Sequence, residues 1–584
     1  MKMVKSLILG SAAGLVAMSG AQAADLPVKA KPVEYVRICS LYGAGFFYIP
    51  GTDTCIKIGG YLRAEVNIHG GVSGQPFWSG DGAFQDRYAN QYNDMARMAL
   101  TIDTRTATEY GVVRTFGQID ETFATEGVGN SIGVQSSLNP TALQGGALTN
   151  FPGAGYSALE FAFVQFAGFT FGKSASAFNT PWHGYPGNNT SFLVGGYDTV
   201  TGINNVQYTA QFGNGVSGTI GVDDSSANDY NRTQLFNATL LSPSNFGAGN
   251  QITTGAIATT IVTPNSANCN LGGYGGASSN CTLMGTAYSG TMLPDVVGNI
   301  KIEQAWGLFQ ISGAVHDVSP GYWTVANTLG AAQFVGGVNQ INAQNFGHPD
   351  SKAGGAISAA LQIKNLPTGA GDDVKIEGTW SLGASKYVLG TSAALGSSFY
   401  MLGDGPFGTG GKLALGAITD GVYGGFATPL QAGVQLTRGW GFRGAFNHNW
   451  SPEWSSSLFG AIAGLSYNGT AKALWCASYA GTNPDGTPLL GVAAPTGHPA
   501  TPIAGTGFNC DPGFTMSQIG LTTRWTPVKN LTFSSEVMYS FLHTNMKGDA
   551  TVTLTSAVPL PGPAIYQYQS QGTVSANFRV QRNF

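Results

Sequence analysis

The chain has 584 residues, of which only 10% are charged, with 27 Lys and Arg against 31 Asp and Glu and a formal net charge of −4. So weak a balance argues against nucleic acid as a partner. After the N-terminus, no run approaches the ~20 apolar residues a membrane-spanning helix needs, which excludes a helical membrane protein.

The N-terminus reads MKMVK, then SLILGSAAGLVAMSG, then Ala21-Gln22-Ala23. A basic segment, a short apolar segment and an A-x-A site predict a signal peptide over 1–23 and export of the mature chain. Residues 24–54 are expected to form a periplasmic segment and 55–584 a transmembrane domain. The first predicted strand is CIKIGGYLRAEVNIH, residues 55–69. Its even positions are apolar or small (Ile56, Ile58, Leu62, Val66, Ile68) and its odd ones mostly polar (Lys57, Arg63, Glu65, Asn67, His69). That period of two marks a strand with one apolar and one polar face.

Further strands follow near 94–105, 111–123, 157–167 and 169–179, with more to the C-terminus, about sixteen in all. Their connections alternate. Tight turns at Ala167-Gly168, Gly213-Asn214-Gly215, Trp306-Gly307, 366–372, Ser451-Pro452-Glu453 and 527–530 separate longer loops at 124–156, 180–203, 225–294, 318–351, 387–429 and 468–513. Alternating long and short connections with an even strand count are the pattern of an outer-membrane barrel, whose turns face the periplasm and whose loops face outward. Closure is obligatory, because an open sheet edge in lipid leaves backbone N–H and C=O groups unpaired. The expected fold is an all-β, transmembrane antiparallel β-barrel with its apolar face outward and a wet interior. Aromatic residues near strand ends, Phe46-Phe47-Tyr48, Phe161, Phe163, Trp525, Phe533, Tyr539, Phe541 and Phe584, are expected in interfacial girdles. The last strand is expected to run from Tyr566 with its even positions outward.

Six cysteines in an exported chain predict three disulfides. Of the connectivities they allow, their order favours the local pairs Cys39–Cys55, Cys269–Cys281 and Cys476–Cys510. Chemistry is otherwise sparse. Ala167 to Ser174 approaches a phosphate-binding loop but lacks its first glycine and a following helix. The seven histidines stand far apart, and there is no G-x-S-x-G elbow. The expectation is no enzyme, no cofactor and no metal. The charged residues on lumen-facing parity are Lys57, Arg63, Glu65, Arg97, Asp103, Arg105, Arg114 and Asp120. Three of the arginines, Arg63, Arg97 and Arg114, are expected at comparable depth on three adjacent strands as a positive stripe, and charge lining a narrow pore sets ion preference.

The strings ADLPVKAKPVEYVRIC, SLYGAGFFYIPGTDTCIKIGGYLRAE and FNHNWSPEWSSSLFG, with the terminal Phe584, resemble the alphaproteobacterial outer-membrane porins. The resemblance implies a homotrimer of sixteen-stranded channels in the outer membrane of a Gram-negative bacterium, in contact with its lipid. It also implies a third outer loop, here 180–203, folded into the lumen. The constriction expected on that basis sets Arg63, Arg97 and Arg114 on the wall against Asp198 on the loop and leans toward anions. The expected function is passive diffusion of small hydrophilic solutes and ions, with no nucleic-acid partner. Two other readings stay open: a substrate-specific channel, and an adhesive or structural surface barrel.

Overall fold

The computed structural model describes residues 37–70, 92–124, 156–182, 184–190, 192–197, 200–225, 232–238, 287–321, 323, 347–390, 398–403, 410–424, 432–489, 500–552 and 564–584. The predicted signal peptide, Cys269, Cys281 and Asp198 lie outside the described residues. The chain divides into two compact units, Met1–Lys57 and Ile58–Phe584.

In the first unit the Cys39–Cys55 disulfide closes the expected local loop. Phe47–Tyr48 pairs antiparallel with Cys55 and Ile56, and Phe46 is buried in a small cluster with the two sulfurs. Phe46 therefore belongs to the packing of this unit and not to a lipid-facing girdle. The Arg37 guanidinium lies 4.7 Å from the Tyr48 ring centroid, and Lys57 Nζ lies 6.0 Å from that of Phe46.

The second unit is a closed antiparallel barrel of sixteen strands. In chain order they are β1 (Thr54–Ile68, from Ile58 in this unit), β2 (Tyr92–Thr108), β3 (Gly111–Ala124), β4 (Tyr156–Phe166), β5 (Phe169–Ser174), β6 (Ile203–Gly213), β7 (Val216–Asp223) and β8 (Asp295–Gln304). The second half comprises β9 (Gly307–Val318), β10 (Lys352–Lys364), β11 (Asp373–Leu382), β12 (Arg438–Asn449), β13 (Trp454–Ser466), β14 (Phe514–Val528), β15 (Leu531–Thr544) and β16 (Gln571–Asn583). Each strand pairs with the next, and β16 closes on β1 from Tyr61↔Asn583 to Ile68↔Ala576. Connections after even-numbered strands are short and those after odd-numbered strands are long, as the sequence predicted. At the β6–β7 turn Gly213, Asn214 and Gly215 all have positive φ, the conformation that two-residue hairpin turns require. A Cβ on Gly215 would also lie 1.9 Å from the Glu303 carbonyl oxygen.

Alternation sorts the faces. Leu62 and Val66 of β1 and Met98, Leu100 and Ile102 of β2 point outward and are 38–53% exposed, while Glu65, Asn67, Asp103 and Asp120 on the opposite register are buried. Aromatic clusters band the outside near the turns: Trp454 and Trp525 stack at 5.8 Å, Trp525 and Phe533 lie 5.4 Å apart, and Phe169 meets Tyr208 at 4.8 Å. Trp380 and Trp440 face each other across β11 and β12 toward the outer ends.

The interior departs from a uniformly wet lumen. Lumen-facing positions in the outer halves of β13, β14 and β15 carry Ala461, Ala463, Leu465, Phe514, Met516, Met538 and Leu542, all buried in one hydrophobic cluster with loop residues. The loops supply a five-stranded sheet, Ser398–Gly403, Gly411–Ala417, Ala564–Tyr568, Asp549–Val552 and Ala500–Pro502. They also supply helix α1 (Gly469–Ala480), whose N-cap Asn468 accepts from the Ala471 amide, a standard closure of an orphan donor. The Cys476–Cys510 disulfide fastens α1 to the loop that returns to β14. Tyr566 and Tyr568 sit in this loop sheet, buried, with the Tyr568 hydroxyl 2.6 Å from that of Tyr479. The last barrel strand accordingly begins at Gln571, five residues later than the alternation suggested. Period-two alternation is shared by any half-buried strand, so it carries the segment 564–568 without revealing which sheet owns it.

Candidate functional site: the lumen and its inward loop

The connection from β5 to β6, residues 175–202, is the third long loop, and its described residues hydrogen-bond to lumen-facing side chains around much of the wall. Asn299 of β8 donates to the Ala177 carbonyl (2.6 Å) and Gln310 of β9 to that of Asn179 (2.7 Å). Arg443 of β12 donates to the carbonyls of Leu193 (3.2 Å) and Tyr197 (2.9 Å) while forming a 2.8 Å ion pair with Glu377 of β11. The Val194 amide donates to Gln518 of β14 (2.9 Å), the Thr190 amide to Glu536 of β15 (3.2 Å), and Arg579 of β16 donates to the Asn189 carbonyl (2.7 Å). A loop buried in a barrel must find partners for its backbone polar groups, and here amide and charged wall side chains supply several of them. Glycine makes the approach possible: a Cβ on Gly195 would lie 2.6 Å from the Phe442 carbonyl oxygen, and one on Gly196 2.3 Å from Glu377 Oε1.

The predicted arginines fall in two places. Arg63 donates to Gln581 (2.9 Å) and lies 3.5 Å from Glu65. Arg97 donates to Thr122 (2.9 Å) and pairs with Asp120 at 3.3 Å, and Asp120 also accepts from the Tyr61 hydroxyl at 3.2 Å. Arg63 and Arg97 thus share one neighbourhood. Arg114 does not: in the β2–β3 register Arg97 faces Thr122, whereas Arg114 faces Arg105, roughly 27 Å away along the strand at ~3.4 Å per residue. Arg114 stands in the periplasmic half, where it and Arg105 share Asp103, each at 3.0 Å. Spacing within a strand is legible in sequence, but relative depth between strands depends on stagger, and three arginines counted by strand concealed it.

Two wall cations that sequence reasoning missed stand with the loop. Arg579 pairs with Glu65 at 2.7 Å, and Arg524 of β14 donates to Ser457 (2.7 Å) and to the Gly187 carbonyl of the loop. Lumen parity on β14 and β16 would have flagged both.

A family model described as the porin subfamily matches residues 25–561. The chain belongs to that family. Its sequence is 37% identical to porin Omp2b of Brucella suis over 231 residues, 39% of this chain and 55% of that relative, with the same figures for Omp2b of Brucella melitensis. This porin therefore spans about half the length of the relatives it matches. Among solved structures, the outer-membrane channel DcaP of Acinetobacter baumannii aligns over 92% of this chain and 99% of its own at TM-score 0.46 and 12% identity. OprB of Pseudomonas putida aligns over 91% and 94% at TM-score 0.41 and 11% identity. The family and the closed barrel with its apolar outer belt place this porin in a Gram-negative outer membrane.

Two further features organise this porin's lumen. The first is a β-bulge in β4: Gln118 pairs with Phe161, yet the next residue of β3, Ile119, pairs with Leu159, leaving Glu160 as the extra residue. Glu160 also clips the end of the inward loop, its carbonyl accepting from the Gly202 amide (2.9 Å) and its carboxylate from the Thr201 hydroxyl. The bulge reverses parity, so Leu159 stays outward while Phe161 and Phe163 turn into the lumen, and the expectation that they belong to a lipid-facing girdle is corrected. Bulges re-aim side chains in this way. The second feature is a buried polar knot at the outer ends of β8 and β9. His316 Nδ1 lies 2.7 Å from Asp295, which also accepts from the Tyr387 hydroxyl (2.6 Å). Tyr288 donates to Asp420 at 3.0 Å, and Asp420 accepts from the Thr233 amide and from the Ser385 amide and hydroxyl, each at 2.7 Å. Burial, reinforced by the Asp420 carboxylate, pushes the Tyr288 hydroxyl well above its ordinary range, so it remains a donor at any physiological pH.

Proposed function

We propose that this chain forms a water-filled pore for passive diffusion of small hydrophilic solutes and ions across the outer membrane. The observation that carries this reading is the strapping of loop 175–202 to lumen-facing side chains of β8, β9, β11, β12, β14, β15 and β16. A loop held across a barrel narrows it, and the path for solutes then runs between that loop and the charged wall of β1 and β2. Arg63, Arg97, Arg524 and Arg579 face Glu65, Asp120 and Glu536 at this level, so the passage leans weakly toward anions, and charges in a narrow, partly desolvated passage act more strongly than in bulk water. Asp198 supplies an acid on the loop side, and Arg114 acts deeper, in the periplasmic vestibule. The pore works by polarity and width alone, with no chemistry and no cofactor.

The assembly is a homotrimer. Supporting this, Glu121 lies on the lipid-facing register of β3 opposite Met98 and accepts from Ser157 at 2.7 Å, while Lys173 on the outward register of β5 donates to the Leu159 carbonyl. Charged groups on a hydrocarbon-facing surface are unfavourable, and a neighbouring subunit relieves that cost.

Planar-bilayer recording of the purified protein tests the function. Stepwise, ohmic conductance in potassium chloride is expected. Absence of conductance would favour the adhesive or structural barrel, and saturable block by one solute would favour a substrate-specific channel. Native mass measurement in detergent should show trimers, and only monomers there would reject the assembly.

A further inference from the structure

The inward turn of β4 after the Glu160 bulge gives the periplasmic half of the lumen a surface that a general hydrophilic pore does not require. Phe163 pairs with Phe116 across β3 and β4, their rings 5.4 Å apart and 29° from parallel, and Phe161 lies 6.3 Å from Phe116. All three rings stand on the register of Gln165, whose amide oxygen accepts from Arg114 at 2.9 Å and whose Nε2 donates to the buried Thr170 at 3.1 Å. All three are half-buried, so part of each ring faces the lumen water. The Arg114 guanidinium carbon lies 5.3 Å from the Phe116 centroid and 5.5 Å from that of Phe163. Arg105 joins it on the single carboxylate of Asp103, which leaves this patch with one net positive charge.

Apolar ring surface in a water-filled passage is costly to expose, and lipid does not reach this face. Binding sites for small molecules combine apolar lining with a few placed polar groups, which is the composition found here. We infer that Phe116, Phe163, Arg105 and Arg114 form a binding station for planar aromatic anions, such as aromatic carboxylates, on the periplasmic side of the constriction. The ring of the solute stacks on phenylalanine in the offset or edge-on geometries aromatic pairs prefer, and its carboxylate meets the two guanidinium groups, which favour planar anions and aromatic faces alike. The net positive charge is what favours an anion over a neutral sugar at this wall. The inference rests on the chain being an open pore and names a solute class for it.

The test is single-channel and multichannel recording in potassium chloride, with potassium benzoate or potassium cyclohexanecarboxylate added. The two anions are alike in charge and size, but only benzoate is planar and aromatic. Benzoate should reduce the chloride current at about three- to tenfold lower concentration than cyclohexanecarboxylate, the range expected from one aromatic contact. Phe163→Ala and Phe116→Ala should each abolish that difference while keeping the potassium chloride conductance. Phe163→Tyr should preserve the difference, and heat-modifiable migration on gels should show all three variants folded. Equal block by the two anions in a conducting wild-type channel would overturn the station alone, as would a benzoate preference that survives both alanine substitutions. A wild-type protein silent in potassium chloride would overturn the pore itself, and the station with it.

Discussion

The wall from β16 through β3 and the wall from β12 through β15 belong to one barrel and obey one alternation, yet their lumen-facing registers differ in chemistry. On the first, Asn577, Glu65, Asn67, Asp120 and Thr122 are joined by ion pairs and hydrogen bonds such as Arg579–Glu65 and Arg97–Thr122. On the second, the inner half is polar, with Asn447, Ser457, Thr522 and Arg524, but the outer half is Ala461, Ala463, Leu465, Phe514, Met516 and Met538 beneath a cap of loops. The outer face of a barrel strand answers to the hydrocarbon of the membrane over most of its circumference. The inner face answers to whatever covers it, and here one sector is a buried network of ion pairs and hydrogen bonds while another meets a second hydrophobic core. The barrel is thereby a scaffold for a folded loop domain as well as the frame of a pore.

Substitutions that exchange the two chemistries should have unequal effects. The largest is expected from Phe514→Asp, which places an unpaired charge at a 2% exposed position against Phe399. Burying such a group costs about 4 kcal/mol or more, so the heat-modifiable transition on gels should fall steeply and protease should cut the loops. Gln581→Glu, on the polar wall beside Arg63, should leave both unchanged. Equal sensitivity of the two sites would break the contrast between the walls.

Next in size is Arg443→Met. It leaves Glu377 buried beside the inward loop without its 2.8 Å partner, and breaking a buried pair costs about 3–5 kcal/mol. The loop should loosen, raising single-channel conductance and noise. The double variant Glu377→Gln with Arg443→Met should recover part of the loss of stability, since no charge is then left unpaired.

Reduction of the Cys476–Cys510 bond should come third. Opening a loop of this length removes about 2–4 kcal/mol by the chain-entropy account, but the loss falls on the cap rather than the barrel. Limited proteolysis under reducing conditions should accelerate within 467–513 while barrel migration on unheated gels stays the same. Peptide mapping of the oxidised protein that linked Cys39 to any later cysteine would contradict the local pairing.

The smallest expected effect is on ion preference. Arg97→Glu reverses one charge beside Asp120 and should shift the zero-current potential in a salt gradient toward cations. For a unit charge near 4 Å the interaction exceeds the ~1 kcal/mol it has in bulk water, because the passage is partly desolvated. Asp198→Asn should shift it the other way. An unchanged potential in both would place the selective charges elsewhere in the lumen.

Sequence by itself determined the barrel. Alternation fixes which residues can face lipid, because successive side chains of a strand point to opposite sides, and the contrast between tight turns such as Gly213-Asn214-Gly215 and long loops fixes the count and direction of strands. Chain order also favoured the Cys39–Cys55 and Cys476–Cys510 bonds, and the structure places both pairs together. Tertiary structure alone decided depth, parity after irregularities and the identity of what covers the lumen. Arg63 and Arg97 share one neighbourhood while Arg114 stands apart, because the stagger between strands comes from hydrogen-bond register and barrel closure, which no single strand encodes. Phe161 and Phe163 face the lumen because one extra residue, Glu160, is accommodated opposite β3, a local accident of pairing invisible to periodicity. Phe514 and Met516 are dry because loops distant in sequence fold over them, and the alternating pattern is the same whether such a face meets water or another core.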